Sequence, residues 1–211
     1  MFRDITAAGA ANWNLSAITN GSGDAGGNSG ITFTASTNCY WKHGSTPNNS
    51  VTINTASKWF TTSGGSTPAR VPLPQDIAYF DANSFGAASQ AVTPLETFPN
   101  PHMNWTGCTN SPILGAWTTY IPSNPIYYGS MVLSSGMTVS AAVLPATWIF
   151  YANSAATITF NAGTKTLAYT VEIAHKGTFN WTGATTLTKN LTVDAGSTCT
   201  LGANMSVAAL I

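Results

Sequence analysis

Seven acids, three histidines and three cysteines are the side chains of this 211-residue chain with the chemistry for catalysis or metal binding. The acids are Asp4, Asp24, Asp76, Asp81, Glu96, Glu172 and Asp194. Cleaving a glycosidic bond takes two carboxyl groups about 5–9.5 Å apart. Asp76 and Asp81 are neighbours in sequence, but an odd separation along an extended segment points them to opposite faces. They read as turn caps flanking a strand. Glu172 and Asp194, 22 positions apart, would stack on adjacent coils of a repeating fold, one position out of register, and are the best catalytic pair on offer. Calcium needs several acidic oxygens together, and the acids are scattered. His43, His102 and His175 have no ligand partner close in sequence and are expected to be structural. Cys39, Cys108 and Cys199 form an odd set without short spacing, a poor disulfide framework and a poor zinc site. They are expected as small buried hydrophobes, with a Cys39–Cys108 bridge left open. No Gly-x-Ser-x-Gly elbow occurs. The glycine-rich run 20–30 lacks the strand, helix and lysine of a phosphate loop and reads as a flexible surface loop or linker. No catalytic residue, metal ligand or cofactor is predicted, and the chain is not expected to be an enzyme.

Aromatic residues are the other chemistry. Sugar rings pack on aromatic faces while Asn and Thr supply hydrogen bonds, and the chain has seven Trp and seven Tyr. Trp41, Trp59 and Trp117 lie in irregular stretches and are expected as exposed glycan or partner contacts. Trp105 and Trp181 each sit in a repeated Asn-Trp-Thr-Gly and are expected to pack inside.

The elements that must position these residues show a repeat. Apolar clusters end at Phe80, Trp105, Tyr128, Tyr151, Val171 and Val193, which are 25, 23, 23, 20 and 22 positions apart. Such a period marks stacked coils, each burying its apolar side on its neighbours. The expected fold is all-β, a parallel β-solenoid over 71–211 preceded by an irregular β segment, 1–70, for capping or attachment. Trp105, Tyr128 and Tyr151 are expected to form an aromatic ladder at the strand spacing, with Ile158, Val171 and Val193 in the aliphatic interior. An antiparallel sandwich is the alternative, since short strands and regular turns also suit it. The last residues keep a strand-like rhythm and finish on four apolar side chains without a cap, so the sequence predicts either a longer natural chain or a covering partner.

Composition narrows the partners. Charged residues make up 7% of the chain against a usual ~25%, and seven basic and seven acidic residues cancel. No basic stripe is present for a nucleic-acid backbone. Low charge also removes repulsion between copies, which favours assembly. No apolar run is long enough to span a membrane, and Met1-Phe2-Arg3-Asp4 does not open a secretion signal. A protein of this make-up suits a virion or an extracellular surface, reached by lysis, by a dedicated route or within a particle.

From Trp59 through Gly64-Gly65, Pro72, Asp76, Phe80-Asp81 and Ser84-Phe85 to Asn104-Trp105-Thr106-Gly107, the chain resembles β-helical proteins of phage virions and bacterial surfaces. The resemblance covers about residues 57–211. It implies a right-handed parallel β-helix, a structural role as tail fibre, spike or decoration, and adhesion to a host surface. It also implies other virion or surface-assembly proteins as partners, with a homotrimer common among fibre-like members. No catalytic residue is carried over. A polysaccharide depolymerase and a non-catalytic glycan-binding module are the competing classes.

Overall fold

Alternation along each strand decides which side chains enter the core. In Thr157–Asn161 the buried residues are Ile158 and Phe160; in Thr178–Thr182 they are Phe179 and Trp181; in Thr147–Tyr151 they are Trp148 and Phe150. Thr and Asn take the outer positions of the first two strands, and Thr147, Ile149 and Tyr151 those of the third, with the period of 2 a half-buried sheet imposes. The computed structural model describes residues 1–9, 12–95, 98–115, 124–139, 147–151, 157–174, 177–202 and 205–211. Glu96, Trp117 and His175 lie outside the described residues.

Every strand pair but one among the described residues is parallel, and like stacks on like. Thr157 pairs with Thr178 and Thr178 with Thr198; Phe160 pairs with Trp181. The fold is a right-handed parallel β-helix, not an antiparallel sandwich. From Ile113 to Asn161 the chain visits a four-stranded, a six-stranded and an eight-stranded sheet in that order, twice. Three walls therefore enclose one core. The four-stranded wall ends at Thr138–Val139, and Thr166–Leu167 joins the six-stranded wall instead.

The coils begin earlier than residue 71. Asn38–Trp41 already pairs with Ile77–Tyr79, and Ser50–Thr52 with Ala91–Thr93. The interval is long because residues 53–76 make an excursion. It includes the 3-10 turn Ala56–Lys58 and the strand Trp59–Phe60, which returns antiparallel to Asn38–Trp41 and closes that end of the eight-stranded wall.

The described residues of the irregular β segment 1–34 make short pairings of their own. Phe2 bridges Asp24, Thr6 bridges Ser29, and Trp13–Asn14 pairs with Ile31–Thr32, all in parallel. The glycine-rich run is one side of these pairings rather than a free loop. Gly27 shows why glycine is needed: its φ is +70°, and a Cβ there would collide with the Asp4 carboxylate. Gln75 fastens this segment to the solenoid. It accepts from the Asp24 amide at 2.8 Å and donates to the carbonyls of Ser22 and Thr34 at 2.8 and 3.0 Å.

The expected ladder divides between two walls. Trp105 follows strand His102–Asn104 of the eight-stranded sheet and stacks on Phe80, centroids 4.0 Å apart and planes 10° from parallel. Tyr128 and Tyr151 stack on each other at 5.7 Å beside the six-stranded sheet, and the buried ring there is Tyr127. The next partner of Met103 is Met131, a step of 28 and not 23. Val171 and Val193 belong to different columns, since Val171 pairs with Leu191 and Ile173 with Val193. Ile158 and Val171 are buried as expected, whereas Val193 is only partly so.

His43 is buried in the first coil. Trp41 Nε1 donates to its Nδ1 at 3.3 Å, so Nε2 carries the proton and donates to Asn49 Oδ1 at 2.8 Å. Burial lowers its pKa below the ordinary 6.5, and nearby Lys58 adds to the effect. The folded state therefore binds fewer protons than the unfolded chain. Its contribution to stability is complete above pH 6.5 and declines as pH falls below that value. We expect denaturant midpoints of the wild type to fall between pH 7 and 5.5, with a slope of at most about 1.4 kcal/mol per pH unit from this group. His43→Gln should flatten that slope; an identical pH profile in the variant would assign the effect elsewhere.

Candidate functional site

The outer side of the eight-stranded wall gathers aromatic rings that no short sequence interval connects. In Cys39-Tyr40-Trp41 and Ala78-Tyr79-Phe80 the flanking residues are buried, so each central tyrosine must point out. Tyr40 and Tyr79 are in register and stack with centroids 5.0 Å apart and planes 14° from parallel. Phe60 lies opposite Tyr40 on the other side, with Lys42 Nζ 5.6 Å from its ring centroid. Beyond Tyr79 the column continues with the short Asn104, then Val132, Asn161 and Thr182. The side of Tyr79 away from Tyr40 thus meets an amide rather than a third ring.

Asn104 Oδ1 accepts from the Thr106 amide at 2.9 Å, which holds the amide in its own turn. In the next column Ile77 pairs with His102, whose pKa is lowered by burial, so the imidazole is neutral at physiological pH. Lys42 is tied to the carbonyls of Gly64 and Gly65 at 3.1 and 3.3 Å. Ring edges, hydroxyls and an amide make up the face around the tyrosines, with the Lys42 ammonium at its Phe60 end.

Two of the three tryptophans expected on the surface, Trp41 and Trp59, are inside. Trp41 and Trp59 are both 0% exposed and meet edge to face at 5.0 Å. Trp59 Nε1 donates to the Ile53 carbonyl at 2.8 Å. The antiparallel return of Trp59–Phe60 puts both rings under the end of the wall, so neither can contact a glycan. Trp105 and Trp181 are buried, as their repeated tetrapeptide suggested. In the second copy, Gly183 has a φ of +94° and a Cβ there would strike the Gly163 backbone of the coil before it.

Asp76 and Asp81 cap turns on either side of strand Ile77–Tyr79, as expected: Asp76, fully buried, accepts from Leu73 N at 2.7 Å and Asp81 from Asn83 N at 2.9 Å. Glu172 pairs with Thr192, which puts Asp194 two positions off, not one. Cys39, Cys108 and Cys199 are free thiols with no Cys39–Cys108 bridge, and burial pushes the Cys39 pKa to about 12. No group of three or more His, Cys, Asp or Glu side chains among the described residues could hold a metal ion. No helix among them is long and apolar enough to cross a membrane.

Fold and face together define a parallel β-helix with an aromatic strip on one outer wall. No family model, curated protein or solved structure matches the chain.

Proposed function

We propose that this chain is a structural component of a virion or cell-surface assembly, of the tail-fibre, spike or decoration kind, that adheres to a neutral glycan on a host surface. The observation that carries this reading is the stacked Tyr40–Tyr79 pair on the outer wall beside Asn104 and His102. A wall of Thr, Asn and Tyr over a continuous apolar core is a rigid support, and its exposed amides and hydroxyls suit sugar hydroxyls. Self-association into a homo-oligomer, a trimer in fibre-like assemblies, fits the absence of net charge. The segment 1–34, fastened through Gln75, is the part that would dock to other assembly proteins.

The test is binding to immobilised host surface polysaccharide. Wild type should bind without releasing oligosaccharide. Tyr79→Ala should weaken binding at least about tenfold, equivalent to about 1.4 kcal/mol, with an unchanged circular dichroism spectrum. Release of new reducing ends would replace this reading with a depolymerase, and undiminished binding by Tyr79→Ala would remove the proposed face.

A further inference from the structure

Where the four-stranded wall stops, two successive coils part. Thr138–Val139 pairs with Ile113–Leu114 on one side, and the following coil passes its other side without a ladder among the described residues. Between them lies a cleft of about 460 Å³ lined by Met137, Thr138, Val139, Thr164, Lys165 and Thr166, among others. That volume is in the range of small-molecule sites.

Lys165 reaches across the gap. Its Nζ donates to the Ser135 carbonyl at 3.3 Å and to the Met137 carbonyl. An ammonium has three donors, so one is left for the cleft. Neither ion pair seen among the described residues involves Lys165. Nearby Cys108 is held protonated by burial and supplies no negative charge. Partial burial lowers the Lys165 pKa, as it does for a cation drawn partly out of water. Three threonines border this cation, and the outward Thr138 and Thr166 are exposed.

We propose that this cleft binds an acidic saccharide of the uronate type. The sugar carboxylate meets Lys165 Nζ, its hydroxyls meet Thr138, Thr164 and Thr166, and a C–H face packs on Val139. A charged side chain, hydroxyl donors and an apolar floor in one concavity are what a uronate residue presents in complement. The site is separate from the tyrosine face and stands whether or not that face binds.

The probe is a galacturonate trisaccharide, with maltotriose as the neutral control and acetate as the bare anion, titrated into the full chain by calorimetry. Uronate should bind saturably, more weakly at high salt, while maltotriose and acetate should bind at least tenfold more weakly. Lys165→Gln should lose at least tenfold, Lys165→Arg should keep most of the affinity, and Tyr79→Ala should leave it unchanged. Absence of saturable uronate binding overturns the proposal, as does equal binding of maltotriose or acetate, or wild-type affinity in folded Lys165→Gln. If Lys165→Gln does not fold, Thr138→Val/Thr166→Val keeps the shape and removes two hydroxyls. A severalfold loss there supports the site, and wild-type affinity overturns it.

Discussion

Asp76→Ala is expected to destabilise the protein by about 3–5 kcal/mol, the range for removing one member of a buried ion pair. For a chain of this size that lowers the melting temperature by roughly 6–20 °C. The carboxylate is fully buried and all its partners are donors. Oδ1 accepts from Thr37 N at 2.8 Å and from Arg70 Nη2 at 2.7 Å, and Oδ2 accepts from Leu73 N at 2.7 Å. Arg70 retains 25% side-chain exposure and can turn to water once its partner is gone. The two backbone amides cannot, so most of the cost comes from them. Asp76→Asn should not rescue fully, because its amide nitrogen must face at least one of these donors. The clamp also joins residues 35–37 to the coil, since Arg70 Nη2 donates to the Ala35 carbonyl at 2.9 Å. Early proteolysis near residue 36 should therefore accompany the thermal change. A melting temperature within 2 °C of wild type would show that the network is dispensable.

Trp105→Ala should cost a similar amount, about 3–5 kcal/mol, by leaving a cavity in the aromatic part of the core. The ring stacks on Phe80 at 4.0 Å and lies 5.8 Å from Phe85 at 12°. The preceding coil holds both phenylalanines in place, so the gap cannot close by a local shift. Trp105→Phe should be far milder, under about 1.5 kcal/mol. Trp105 Nε1 is buried without a partner among the described residues, and removing it relieves an unpaired donor while the stack survives. Trp181→Phe is the control from the other copy of the tetrapeptide. Its Nε1 donates to the buried Thr185 hydroxyl at 3.2 Å, so the substitution strands a partner. Denaturant unfolding of the three variants should order them Trp105→Phe, Trp181→Phe, Trp105→Ala from mildest to most severe. A Trp105→Phe cost equal to that of Trp105→Ala would contradict this account of the core.

Residue pattern alone favours stacked coils over an antiparallel sandwich and marks the side of each strand that is buried. Alternation in stretches such as Thr157–Asn161 and a spacing of 20–25 residues leave stacked parallel coils as the arrangement that buries every apolar face. The inward Trp105 and Trp181 were legible for the same reason, because their tetrapeptide repeats with its turn. Which wall each cluster joins is visible only once the coils are paired. The step from Trp105 to Tyr128 resembles one coil, yet it crosses from the eight-stranded to the six-stranded sheet. Side-chain period fixes inside and outside along a strand, whereas turn lengths fix which strands become neighbours, and those lengths vary from coil to coil. The excursion after Ile53 made this difference largest. It buried Trp41 and Trp59, set Tyr40 against Tyr79 at a separation of 39 residues, and so assembled an aromatic face that no local pattern announces.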